Sequence, residues 1–113
     1  MPTRYSSTGM PANRLEMLKE MVVQNPSDSF ARYGLAMAYA NDGNYELAVE
    51  EHRKLIETNP KYVAAYYHGG QALEKLGRLD EARETYRRGI EVSTQIGDDH
   101  TRSELEAVLE MLG

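Results

Sequence analysis

Apolar positions along the chain recur with helical spacing from residue 11 to residue 112. Leu15, Leu18 and Val22, with Met17 and Met21 beside them, make one stripe. That stripe predicts a helix over residues 11–24, with Pro11 in its first turn. A run of helix formers from Ser29 to Ala40 follows and is stopped by Asn41-Asp42-Gly43, where glycine can take the left-handed conformation. Tyr45 to about Thr58 is the partner helix, with Leu47, Ala48, Leu55 and Ile56 inward, and the short connection makes the two antiparallel. A second pair runs from Pro60 to Leu76-Gly77-Arg78 and from Leu79 to about Ser93, with Gly97 ending the unit. The last stripe, Leu105, Val108, Leu109 and Leu112, has the i, i+3, i+4, i+7 spacing of a helix face. Thr101-Arg102-Ser103-Glu104 reads as a capping box in front of it, and Asp98 or Asp99 reads equally well as the cap of a longer helix. Residues 1–10 lack apolar periodicity and are expected to be disordered.

The pattern repeats. Asn25-Pro26 and Asn59-Pro60 stand 34 residues apart. Asn25 is placed as the N-cap of the helix that follows, Pro26 at its first position and Asp28 against the helix dipole. Sliding the chain by the same interval aligns Ala31 with Ala65, Tyr33 with Tyr67, Ala38 with Ala72, Gly43 with Gly77, Ala48 with Ala82, Arg53 with Arg87 and Ile56 with Ile90. A helix-turn-helix unit of this length cannot bury its apolar face alone, so neighbouring units must stack. The expected organisation is all-α: an N-terminal capping helix over 11–24, repeats over 29–62 and 63–96, and a C-terminal capping helix over 99–112. That makes six helices in one domain.

These residues resemble the tetratricopeptide repeat. Its signature positions are held by Arg32, Leu35-Ala36, Tyr39, Ala48, His52 and Pro60 in the first unit, and by Tyr66, Gly69-Gly70, Leu73, Ala82, Tyr86 and Thr94, in place of the expected proline, in the second. His52 departs from the usual aromatic, Gly69 from the usual Leu and Gly89 from the usual Ala, and the chain has no Trp. Glycine within a helix costs about 1 kcal/mol relative to alanine. The helix around Gly69-Gly70 is therefore expected to be soft unless a bulky neighbour such as Tyr86 or Tyr39 fills the gap. The resemblance implies an α-solenoid of antiparallel helix pairs wound as a right-handed superhelix. It also implies a non-catalytic adaptor that holds a peptide or protein segment in a concave groove.

By that resemblance the groove is lined by Phe30, Tyr33, Met37 and Asn41 from the first repeat and by Ala64, Tyr67, Gln71 and Lys75 from the second. These lie off the inward positions Leu35, Ala36, Tyr39, Gly69, Gly70 and Leu73. Large apolar side chains left outside the core mark a contact surface. The other reading is that the C-terminal helix folds back over this stripe and uses it as core. Some members of the family clamp a C-terminal carboxylate with Lys, Asn and Arg. The corresponding positions here are Tyr33, Met37 and His68, which do not match, so that mode is not expected.

With 113 residues and 41% hydrophobic content, the chain suits one globular domain. A net charge of −5 argues against nucleic acid, whose binding rests on neutralising phosphates, and so against the RNA-binding alternative. There is no cysteine, hence no disulfide or thiolate site. No apolar run reaches the roughly 20 residues needed to cross a bilayer, and residues 1–9 carry no signal-peptide core, so a cytoplasmic protein without membrane partners is expected. Glu50, Glu51, Glu81 and Glu84, interspersed with Arg53, Lys54, Arg83 and Arg87, read as a solvated mixed-charge face. Asp98 and Asp99 beside His100 read as dipole-stabilising residues before a helix rather than cation ligands. No phosphate loop, nucleophile elbow or metal-ligand spacing appears, so neither catalysis nor a cofactor is expected. The alternative function is a self-associating structural subunit of a larger assembly, because a short solenoid exposes ends that can pair with a second copy.

Overall fold

The computed structural model describes residues 13–113. The tail expected over residues 1–10 and the placement of Pro11 lie outside them. The described residues form six helices and no strand: α1 (Arg14–Gln24), α2 (Ser29–Asn41), α3 (Tyr45–Thr58), α4 (Ala64–Lys75), α5 (Leu79–Ile96) and α6 (Asp99–Leu112). Each helix packs on the next in sequence, and α2 touches α4 as α4 touches α6. The second set of contacts brings alternate helices together along one side. The result is an elongated stack of 55 × 28 × 20 Å.

The turns between paired helices follow from glycine. Gly43 and Gly77 sit at φ of 79° and 75°, left-handed values that close the α2–α3 and α4–α5 connections. The Asn-Pro pairs work differently from the expectation. Asn25 ends α1, its N–H donating to the Met21 carbonyl at 3.0 Å, and Asn59 ends α3 in the same way at 2.7 Å onto Leu55. The N-cap of α2 is Asp28, whose Oδ1 accepts from the Ala31 N–H at 3.0 Å. The proline therefore follows a C-cap, where it blocks continuation of the helix. The choice left open before α6 resolves onto Asp98, which accepts from the Thr101 N–H at 3.0 Å and the Thr101 hydroxyl at 2.8 Å.

Two clusters make the core. Leu18, Val22, Ala31, Leu35, Tyr39, Ala48 and Ala72 fill the first half. Leu55, Ile56, Ala65, Tyr66, Leu73, Ala82, Tyr86 and Leu105 fill the second. Small residues decide how closely the helices approach. A Cβ on Gly89 would fall 2.6 Å from Tyr66 Cβ and 2.9 Å from Leu105 Cδ1. The ring of Tyr86 likewise occupies the space beside Gly70, so the gap foreseen at that glycine is filled by Tyr86. Leu47, expected inward, is 42% exposed. Nor does Glu51 belong to the solvated face assigned to it. It is buried against α2, where Arg32 Nη1 lies 2.6 Å from its Oε1, and Arg32 Nη2 also donates to the Pro26 carbonyl at 3.2 Å. The rest of that face lies at the surface, with Glu50 and Arg83 half-buried, Arg53 paired to Glu50 and Glu57, and Arg83 to Asp80.

Candidate functional site

Positions three or four apart on a helix share a face. Phe30, Tyr33, Met37 and Asn41 therefore form one line along α2, and Ala64, Tyr67, Gln71 and Lys75 form the matching line on α4. Phe30 is 75% exposed. Asn41 and Lys75 are also exposed, whereas Tyr33, Met37, Ala64, Tyr67 and Gln71 are half-buried. Tyr33 and Tyr67 rest one side of each ring on the core of the second half. Both lines lie on the side where α2 and α4 meet. The C-terminal helix packs on α5 and α4 and does not reach α2, so it leaves the α2 line open.

Burial also places α6 within this face. Its inward positions Thr101, Arg102, Leu105, Val108 and Leu109 follow the same spacing as Ala65, Tyr66, Gly69, Ala72 and Leu73 on α4. That match puts His100, Ser103, Ala107 and Met111 at the positions of Ala64, Tyr67, Gln71 and Lys75. All four are exposed, Met111 at 85%. The 34-residue spacing points to other residues because α5, at 18 residues, is longer than the 14-residue α3.

At the centre of the face lies an aromatic cluster that the sequence only half revealed. Tyr33 is 5.3 Å from Tyr62 and 5.7 Å from His68, ring centroid to centroid, and His68 is 5.0 Å from Tyr67. Beneath Tyr33, at 6.0 Å, lies the ring of His52, 2% exposed, with both nitrogens unpartnered. Tyr33 and Tyr67 thus meet through His68, while Tyr62 comes from the turn before α4. Nothing in the helical periodicity signals Tyr62, because it precedes the helix.

Burial sets the protonation of these groups. It raises the Tyr33 hydroxyl above the ordinary phenol value, helped by Tyr62, and raises Tyr62, helped by the negative charge of Asp28. It lowers His68, against the opposing pull of Glu104. His52 is lowered to about 4 by burial and by His68. Below Gln71, the Tyr86 hydroxyl donates to the Glu74 carboxylate and accepts from Gln71 Nε2 at 3.3 Å. Burial and the Glu74 bond together raise Tyr86. One member of the stripe is thus held from beneath by the core.

Two hollows adjoin these helices. One of about 360 Å³ lies between Met37, Ala38 and Asn41 on α2 and Asn13, Arg14 and Leu15 at the start of α1, and so continues the stripe. The other, about 560 Å³, lies between α3 and α5, with Gly69 and Leu73 of α4 in its floor. Those two residues are two positions on from Tyr67 and Gln71, about 200° round the helix, so this cleft opens on the opposite side. Its walls carry the mutually paired charges of Arg53, Glu50, Arg78 and Glu81. Among the described residues no group of three or more potential ligands is placed to hold a metal ion, and no helix is long and apolar enough to cross a membrane.

The comparisons with known proteins fit this geometry. The family described as tetratricopeptide repeat matches residues 33–95. A TPR repeat-containing protein of Pseudomonas aeruginosa is 29% identical over 98 residues, covering 87% of this chain and 93% of its own length. The solution structure of a tetratricopeptide repeat domain protein from Salinibacter ruber is 39% identical. It superimposes with a TM-score of 0.73 over 78% of this chain and 89% of that one. The TPR2B domain of yeast Sti1, solved as a complex with pHsp70, has a TM-score of 0.81 at 20% identity, covering 87% of this chain and 78% of that one, which is a likeness of fold.

Proposed function

The chain belongs to the tetratricopeptide repeat family, and on that premise we propose that it is a non-catalytic adaptor holding an extended or helical peptide segment along α2, α4 and α6. The observation that carries this reading is the open line of Phe30, Tyr33 and Met37. Large apolar and amphipathic side chains reach the surface there, Phe30 three-quarters exposed and Tyr33 and Met37 half-buried. Tyrosine offers rigid contact area with a polar tip, and methionine adapts to irregular partners. The solved complex of yeast Sti1 supports an interaction module in general terms.

The test is capture from the source cells with the wild-type chain beside a Phe30→Ser/Lys75→Ser variant, two exposed positions whose change leaves the core alone. A partner held by wild type and lost by the variant supports the adaptor. A variant that keeps every partner overturns this use of the face.

One observation favours the self-associating reading. Met17 and Met21 of α1 stand 34 residues before Glu51 and Leu55, which are buried. In α1 the two methionines are 44% and 41% exposed. A second copy covering them would be detected by sedimentation velocity and lost in Met17→Gln/Met21→Gln. A wild-type chain that sediments as a monomer overturns this second reading.

A further inference from the structure

We propose that the face selects a cationic segment, whose arginine or lysine side chains lie along the row of rings Tyr62, Tyr33, His68 and Tyr67, with the carboxylates of Asp28 and Glu104 flanking the row. This rests on the reading of the face as a binding groove and adds the chemistry of its occupant.

The rings form a continuous row, Tyr62 to Tyr33 to His68 to Tyr67, with successive centroids 5.3, 5.7 and 5.0 Å apart. All four are half-buried, so each keeps part of its surface open. A ring face is the negative end of the aromatic quadrupole and attracts a guanidinium or ammonium within about 6 Å. Several tyrosines in one row present a long strip of such surface.

Carboxylates flank the row on two sides. Asp28 heads α2, whose first residue Ser29 accepts from Asn59 Nδ2 at 3.2 Å and so lies against the segment that carries Tyr62, and Glu104 holds on α6 the position that His68 holds on the adjacent α4. Burial disfavours the charged form of His68, so its half-exposed ring offers a lone pair to an N–H donor, whereas His52 is sealed beneath Tyr33 and takes no part. Of the cations nearby in sequence, Arg32 is paired with Glu51 and Arg102 with Asp99 and Glu106, while Lys61 and Lys75 are exposed. Lys75 stands eight residues beyond Tyr67, about 12 Å along α4 at ~1.5 Å per residue. That is beyond the Debye length of about 8 Å at physiological salt. The chain as a whole carries −5, which steers cations toward it. An acidic segment would meet Asp28 and Glu104 at this spot.

The experiment is an NMR titration of the full chain with a blocked nonapeptide of serine and alanine carrying arginine at three positions. Matched peptides carry glutamine or glutamate at the same three positions. The arginine peptide is expected to move the ring resonances of Tyr33, Tyr62, Tyr67 and His68, and to bind about ten-fold more tightly than the glutamine peptide. Glu104→Gln is expected to weaken it about threefold without loss of fold, since Glu104 is exposed and among the described residues pairs only with His100, at the surface. Equal binding of the glutamine peptide to these rings overturns the choice of a cation while the groove reading stands. Tighter binding of the glutamate peptide reverses the sign and overturns it as well. If none of the three peptides moves the rings, the cationic segment and the groove fall together.

Discussion

Tyr86 of α5 lies in the space that a side chain at Gly70 of α4 would need. A Cβ built on Gly70 would stand 2.7 Å from both Cδ1 and Cζ of that ring, and Tyr86 is fully buried, so it has nowhere to move. Alanine at this position gains about 1 kcal/mol of helix propensity and meets an overpacking cost of about 1–3 kcal/mol. The ring is fixed on every side, which puts the cost at or above the upper end of that range, so Gly70→Ala is expected to lower stability by about 2 kcal/mol or more in urea unfolding. Gly69 is the control. Its Cβ would lie 3.3 Å from His52 Cβ, a contact that a small shift relieves. Gly69→Ala is expected to fall within about 0.5 kcal/mol of wild type, propensity and crowding offsetting each other.

His52 is expected to make the protein acid-sensitive. Its folded pKa is about 4 against an ordinary 6.5, because burial, and then His68, disfavours the charged ring. The unfolded chain therefore takes up the proton first. The stability tied to His52 is complete above pH 6.5 and is lost as the pH falls toward 4, at ~1.4 kcal/mol per pH unit and on the order of 3 kcal/mol in all. His68, also lowered, pulls in the same direction. Urea midpoints measured from pH 7.5 to 4.5 should fall accordingly. His52→Phe keeps a ring in the slot and removes two unpartnered nitrogens, so most of the fall should disappear and the neutral-pH stability should rise by about 1–2 kcal/mol.

Much of this architecture was legible because its causes are local and periodic. The stripes Leu18–Val22 and Leu105–Leu109, the stop at Gly43 and the paired small residues Ala48 and Ala82 are all spaced by helix geometry. The Asn-Pro pairs misled because asparagine caps either end of a helix and proline suits the residue after an end as well as the first turn. Glu51 looked like its neighbours in a charge run. Only the partner Arg32, 19 residues earlier, marks it as buried. On the face itself, α2 and α4 followed the repeat. The α6 line did not, since the longer α5 shifts the register by two residues. The joint use of Tyr33 and Tyr67, part core and part surface, is a property of packing depth that spacing cannot encode.

Arg32 and Glu51 form a buried ion pair, each side chain 11% exposed. Removing one partner leaves the other charge in a site built for two, at a cost of about 3–5 kcal/mol. Arg32→Ala is expected near the lower end, because Lys54 Nζ lies 3.9 Å from the other Glu51 oxygen and still compensates part of its charge. Replacing both residues with leucine should recover most of the loss, since the desolvation of two charges disappears with them. Thermal and urea unfolding of the two singles and the double would measure this coupling. A double variant as unstable as the singles would mean that the pair sets the helix geometry.

The stripe itself can be divided by stability. Phe30 and Met111 are 75% and 85% exposed, so truncating them removes little buried surface. Phe30→Ala and Met111→Ala are expected to lie within about 0.5 kcal/mol of wild type. Tyr33 and Tyr67 pack against Leu55, Tyr66 and their neighbours while keeping part of each ring open. Tyr33→Ala/Tyr67→Ala should therefore cost about 2–4 kcal/mol, below the 3–5 kcal/mol typical of each fully buried aromatic. Tyr33→Phe/Tyr67→Phe keeps that packing and should cost less than about 1 kcal/mol, since the hydroxyls are not the part that fills the core. Unfolding midpoints for the three sets separate the two uses of the face. A large loss at Phe30→Ala would make the whole stripe core, and a negligible loss in the double alanine variant would make the whole stripe surface.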